Sequence, residues 1–303
     1  MVWFASANPS VAFRCNICGT RNRLMPGLIS REAGECAGCG STVRMRSVIR
    51  CLSLALYGRS VRLTDLAVDR SIRGAGLSDW DGYAARLASL FTYANTFHHA
   101  EPRLDITDPP ANSFGTVDFL ISSDVFEHVA PPVERAFTGA FNLLKPGGTL
   151  VFTVPYGKDG ETIEHFPSLN DFEVLEFGPD WYLINRRTDG EYEVFDDIVF
   201  HGGVGQTLEM RVFCQTDVVS QLQRSGFEKI VIHRENDPAV GIIHRQDWSL
   251  PITAVKPGRP PVRKPRYRGK WRAAGSFIAQ RRDTAAAPIG ARPHGPLTSR
   301  VAV

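Results

Sequence analysis

An α/β fold built on a doubly wound, mostly parallel sheet is the class this sequence predicts, on three observations. Residues 117–122 form a mainly apolar run, as a central parallel strand buried on both faces requires. A helical stretch and a Pro146-Gly147-Gly148 stop separate it from a second apolar run ending at Pro155-Tyr156, so strand, helix and strand follow within about forty residues. Further on, Thr216 is a candidate N-cap for a helix over 217–224, which Ser225-Gly226-Phe227 ends before strands at 229–233 and 248–255. Ser122, Ser123 and Asp124 close the first of these strands, at the sheet edge where open α/β folds bind ligands.

A chain of 303 residues with 43% apolar content can bury one such core and still carry appendages. Its net charge of +3 is unevenly placed. From Lys256 onward, 12 Lys/Arg face a single acidic residue, Asp283, so the tail carries +11 and residues 1–255 carry −8. Pro, Gly, Arg and Ala dominate the tail without periodicity, so 256–303 is expected to be disordered, either solvated or touching nucleic acid or an anionic surface. Met1-Val2-Trp3-Phe4 lacks the charged start of a signal peptide, and no window approaches 18 apolar residues. The expectation is a cytoplasmic protein with no membrane span and reduced cysteines.

Four of the six cysteines stand as Cys15-x2-Cys18, 17 residues, then Cys36-x2-Cys39. This spacing suits a four-thiolate Zn2+ site, with Gly19 and Gly40 allowing a tight knuckle after each pair. Four thiolates close the coordination shell, so the role expected of the ion is structural. Two disulfides are the alternative, disfavoured without a secretory signal. Cys51 and Cys214 read as small buried residues. Arg14, Arg21, Arg23, Arg31, Arg44, Arg46 and Arg50 surround the knuckles. They either form a nucleic-acid surface or pack this module onto the next domain; the second is favoured because no aromatic residues are interleaved for base stacking.

Within 70–79, Arg73-Gly74-Ala75-Gly76 marks a strand with a glycine turn, a helix is expected over 83–90, and a second strand over 90–96. Asp124-Val125-Phe126-Glu127-His128-Val129, followed by Leu144-Lys145-Pro146-Gly147-Gly148, resembles the central segment of class I S-adenosylmethionine-dependent methyltransferases of the type 11 kind. The resemblance runs over about 59–255. It implies a seven-stranded Rossmann-like methyltransferase fold whose final strand inserts antiparallel, with domains at 1–50 (a zinc-knuckle module like those preceding some bacterial methyltransferase domains), 51–255 and a tail beyond.

The resemblance also implies roles. Gly74 and Gly76 would approach the methionine end of S-adenosyl-L-methionine, although the family's third glycine is absent and Arg73 stands near its acidic position. Asn95 falls where the family usually has a carboxylate for the ribose hydroxyls. Asp105 would bond the adenine amino group while Ile106 packs on the ring; a turn cap is the other reading of Asp105. Ser122 and Asp124 would face the methionine portion and the acceptor. His128 is a candidate general base, or with Glu127 a brace for the site, and His201 is a second candidate. Residues 157–210, rich in aromatic and acidic side chains, are either a lid over the acceptor or an antiparallel excursion with its own small core. The glycines after His201 lack the Lys-Ser/Thr ending of a triphosphate loop. Methyl transfer to a small-molecule or glycan acceptor is the function implied. RNA methylation gripped by the zinc module and tail, and a non-catalytic scaffold on a degenerate fold, are the alternatives.

Overall fold

The computed structural model describes residues 10–201, 207–259 and 263–269. The signal-peptide reading at 1–4, the glycines at 202–205 and most of the basic tail lie outside the described residues. Two short strands, β1 (Val11–Arg14) and β2 (Arg21–Leu24), form an antiparallel pair carrying the first knuckle at their turn. Helix α1 (Val43–Tyr57) follows the second knuckle.

Next come β3 (Arg73–Leu77), α2 (Asp81–Leu90), β4 (Thr92–Thr96), β5 (Val117–Ser123), α3 (Glu134–Leu143) and β6 (Leu144–Thr153). A run of small strands fills the next stretch: β7 (Tyr156–Gly157), β8 (Ile163–Glu164), β9 (Asp171–Phe177), β10 (Asp180–Arg186), β11 (Tyr192–Phe195), β12 (Phe200–His201) and β13 (Thr207–Leu208). Then β14 (Arg211–Cys214), α4 (Gln215–Arg224), β15 (Glu228–Ile232) and β16 (Ile252–Val255) complete the chain.

The main sheet has six strands in the order β15-β16-β6-β5-β3-β4. β3, β4, β5 and β6 run parallel, and β16 pairs antiparallel with both β15 and β6. The expected seventh strand is not formed among the described residues. The stretch through Asp105 makes one parallel bridge, Phe97 to Arg103, and then turns, because Asp105 bonds the amide and hydroxyl of Thr107 instead of a strand partner. One boundary also differs from expectation: helix α4 begins at Gln215 with no side-chain cap, so Thr216 lies inside it. Glu127 and His128 lie in a short 3-10 turn, Phe126–His128, ahead of α3.

One core cluster joins Phe13, Cys15 and Cys36 of the cysteine module, Ile49 and Leu52 of α1, and Phe119, Ile121 and Val151 of the sheet. The module is therefore built into the core rather than divided from it near residue 50, and α1 spans that expected boundary. The 157–210 stretch instead forms a three-stranded antiparallel sheet, β11-β10-β9, with a small core of Phe166, Leu183, Leu208 and Met210.

The tail does not leave the body at Lys256. The Ala67 amide donates to the Arg266 carbonyl, Leu66 bridges Tyr267, and Arg263 pairs with Asp118 at 2.9 Å. Asp118 also accepts from the Arg73 amide at 2.8 Å and from Lys145 Nζ at 3.1 Å, so one carboxylate ties three segments together. The expected disorder therefore does not extend to these residues.

Candidate functional site

The site is built from turns at the carboxyl edge of β3, β5 and β6. At β3, glycine serves close packing. A Cβ on Gly76 would lie 2.0 Å from the Tyr93 hydroxyl and 2.1 Å from Asp79 Oδ2, and one on Gly74 would strike the Phe119 ring at 2.1 Å. The expected reason for these glycines, approach of a cofactor, is thus joined by an internal one. Two residues beyond Gly76, where the family's third glycine would fall, Ser78 holds φ +50. The left-handed turn is kept without glycine, at the conformational cost a side chain carries there.

Asp79 follows, fully buried, accepting from the hydroxyls of Tyr83 at 2.8 Å and of Tyr93. Burial raises its pKa to about 7 against the opposing pull of those hydroxyls. Asn95 does not stand free for a ribose. Its Oδ1 accepts from the Asp79 amide and its Nδ2 donates to the Asp79 carbonyl, both at 2.8 Å, so it clamps the β3–α2 turn. Asp105 caps its own turn through Oδ1, bonding the Thr107 amide at 2.8 Å and hydroxyl at 2.7 Å. These bonds outweigh the effect of burial and hold its carboxyl below the usual range. Oδ2 is left facing His98, 3.7 Å away. Ile106 beside it is buried.

At β5, Ser122 is fully buried with no partner for its hydroxyl among the described residues. Asp124 sits at φ +56 and is the most heavily bonded side chain of the edge. Oδ1 meets Arg31 Nη2 at 2.5 Å and accepts from Thr153 Oγ1 at 2.9 Å, while Oδ2 lies 3.1 Å from Arg44 Nε. Arg44 Nη1 also donates to Ser123 Oγ at 2.8 Å, and Glu32 bridges both arginines. Burial would raise the Asp124 pKa, but the two guanidinium groups overcome it and hold the carboxylate ionised.

Arg31 and Arg44 therefore do more than pack the module, which is what the sequence favoured. They complete the site, and the contact spans 93 residues with no local signal to announce it. Arg46 does pack: its guanidinium bonds the carbonyls of Ser41, Gly34 and Gly241.

His128 and His201, separate candidates in the sequence, come together. His128 Nε2 and His201 Nδ1 are 3.3 Å apart, with the rings perpendicular. Burial, and then the neighbouring His201, lower the His128 pKa, whereas burial raises that of Glu127 well above the usual carboxylate range. His201 reaches this place from β12, which brings the insertion onto the β5 edge. Glu209 and His165, which had no motif to mark them, support it from the same insertion.

In the cysteine module, Cys15, Cys18, Cys36 and Cys39 bring their sulfurs within 4.8 Å of one another. Sulfur pairs at 3.5 and 3.8 Å fit four thiolates about 2.3 Å from one tetrahedral ion. Amides of Ile17, Thr20 and Gly38 point at three of the sulfurs, with Gly19 at φ +79 and Gly40 at φ +73 making the turns. The donor set fits zinc. Cys51 is buried, and burial pushes its thiol to about 12, so it is no nucleophile.

A cavity of about 520 Å³ lies apart from the strand edge, between the 107–114 loop and α3. The crevice beside Arg31, Arg44 and Thr153 is far smaller, at about 10 Å³.

Residues 88–152 match the methyltransferase domain family, a span that takes in β4, β5, α3 and most of β6. The chain carries a methyltransferase domain. No curated protein matches it. Among solved structures, it is similar to an S-adenosylmethionine-dependent methyltransferase from Clostridium acetobutylicum (17% identity, TM-score 0.35, 62% of this chain and 84% of that one). It is also similar to a sugar N-methyltransferase from Streptoalloteichus (12%, 0.42, 73% and 90%) and to an amino pentose methyltransferase from Micromonospora echinaspora (13%, 0.39, 72% and 93%). Likeness at this level says nothing about the acceptor. Among the described residues no helix is long and apolar enough to cross a membrane.

Proposed function

We propose that this methyltransferase acts on a small-molecule or glycan acceptor at the carboxyl edge of β3 and β5, under the 157–210 insertion, with zinc at the four cysteines. The observation that carries this reading is the convergence on that edge of groups from three parts of the chain: Asp124 from the sheet, Arg31 and Arg44 from the cysteine module, and His201 from the insertion.

The residues fit the cofactor at both ends. Ser78 keeps the left-handed turn, the buried Ser122 hydroxyl lacks a partner among the described residues, and Asp105 keeps one carboxylate oxygen for an amino group. Asn95 is better assigned to holding the turn than to a ribose. Bound cofactor supplies an electrophilic methyl on its sulfonium, which an aligned acceptor oxygen, nitrogen or carbon takes. The chain contributes the alignment. Paired guanidiniums fix Asp124 and Ser123, so their oxygens hold place without reorganising when an acceptor docks. His128 and His201 would hold the acceptor end of the site.

An RNA acceptor is less well supported. Residues 1–255 carry −8, which repels a phosphate backbone. Four of the arginines such a reading would recruit are occupied, Arg31 and Arg44 by Asp124, Arg50 by Asp237 and Arg263 by Asp118, which leaves Arg14, Arg21 and Arg23 exposed on the cysteine module.

The test is calorimetry of the zinc-loaded full chain with S-adenosylhomocysteine. Saturable one-site binding is expected. No heat of binding at millimolar ligand would leave a scaffold on a methyltransferase fold as the better account.

A further inference from the structure

Where the β5 edge meets the insertion, three side chains turn only acceptor atoms toward one another. His128 directs Nδ1 at the Leu208 carbonyl, 2.8 Å away. A carbonyl oxygen can only accept, so Nδ1 carries the proton and Nε2 keeps its lone pair. His201 directs Nε2 at the Glu209 carboxylate, 2.9 Å away, which by the same logic leaves a lone pair on Nδ1. These two inner nitrogens are the pair separated by 3.3 Å. Glu127 adds a third acceptor. It is fully buried, neither of its carboxylate oxygens has a hydrogen-bond partner among the described residues, and Oε1 lies 3.8 Å from His128 Nε2. Ligating atoms of the three residues all fall within 4.8 Å of one another.

Apart from the proton that burial favours on Glu127, these converging atoms have no donor between them among the described residues, and a cation could take that proton's place. We propose that Glu127, His128 and His201 bind a divalent first-row transition ion, with positions left open for water or an acceptor oxygen. Two imidazoles and one carboxylate suit zinc, iron or manganese, in contrast to the thiolate set at Cys15–Cys39. Two nitrogens each about 2.1 Å from one tetrahedral ion stand roughly 3.4 Å apart, close to the spacing already present. The outer partners are of the kind that metal-bound histidines use: a backbone carbonyl for His128 and a carboxylate for His201. Glu209 is itself fixed, accepting from His165 Nε2 at 3.1 Å. The strand edge supplies two ligands and the insertion supplies the third, so the ion would also join the two. This site stands on its own geometry and does not depend on the acceptor assigned above.

The test is native mass spectrometry of the full chain equilibrated with Zn2+ alone. Wild type is expected to hold two zinc ions per chain. Glu127→Gln keeps the shape and removes the charge; the second zinc should bind at least tenfold more weakly, while the first stays. His201→Asn, at a position about one third exposed on the insertion, should do the same and covers the case in which the Glu127 variant does not fold. One zinc in the wild type would overturn the site, leaving a shared proton between the histidines as the cation. A second zinc retained in both variants would overturn it equally, as a surface ion bound elsewhere.

Discussion

The cysteine module and the 157–210 insertion are both additions to the same sheet, yet they are attached in opposite ways. The module contributes Phe13, Cys15 and Cys36 to the cluster that contains Phe119 and Val151, and it places two guanidiniums on Asp124. The insertion keeps a core of its own around Leu183 and reaches the β5 edge through a few polar contacts from β12, β13 and the Met210 amide. It also leaves Phe177, Tyr192 and Val194 exposed on its outer strands. An addition that shares apolar core cannot loosen without loosening the sheet. One joined by hydrogen bonds can vary while the sheet stays intact. The module is therefore tied to the stability of the sheet, whereas the insertion can change without it.

The sharpest way to break this contrast is to chelate the zinc proposed at the four cysteines. Binding of a structural zinc contributes on the order of 10 kcal/mol of folding free energy. Chelation should therefore melt the module, lower the Tm of the whole body in a single transition, and abolish S-adenosylhomocysteine binding. Two separate calorimetric transitions would show that the module is independent after all.

Arg44→Ala comes next. Removing one partner of a buried ion pair costs about 3–5 kcal/mol, an upper bound here because Asp124 is partly solvated. Stability should fall by about 2–3 kcal/mol by chemical denaturation. The sign of the pH dependence follows from the depressed Asp124 pKa. Its contribution is present above the ordinary carboxylate range and is lost as pH falls through the lowered value, so the variant should be closest to wild type in acid. An equal effect at every pH would mean that the pair is not the source.

Asn95→Ala separates clamp from cofactor ligand with a smaller effect. Losing two hydrogen bonds to the Asp79 peptide should cost about 1–2 kcal/mol of stability. Affinity for S-adenosylhomocysteine should then fall in step with the loosened turn, and Asn95→Asp should not restore it. Recovery of affinity in Asn95→Asp would return Asn95 to the ribose.

What could be read from the sequence was what is written locally. The apolar β5 run, the Pro146-Gly147-Gly148 stop and the cysteine spacing each encode their structure within a few dozen residues, and the order of the sheet around them follows the resemblance. What escaped was set by distant partners. Arg31 reads as no more than a packing contact of the module because Asp124 lies 93 residues away, and Asn95 reads as a ligand because nothing nearby shows that it holds the Asp79 backbone. Asp105 was open to two readings, and its bonds to Thr107 are those of a turn cap. His128 and His201 were both singled out, but that they meet is a property of the insertion's path.

Asp118 has a practical meaning for anyone who must shorten or tag this chain. Because its carboxylate secures Arg263 as well as Arg73 and Lys145, and because the backbone near Tyr267 adds to Leu66 and Ala67, the stretch 263–268 is part of the body's outer wall. A stop codon after Gly269 leaves that wall whole. One placed a dozen residues earlier, at the point where composition alone would draw the border, strips the strap off and bares Asp118 beneath it.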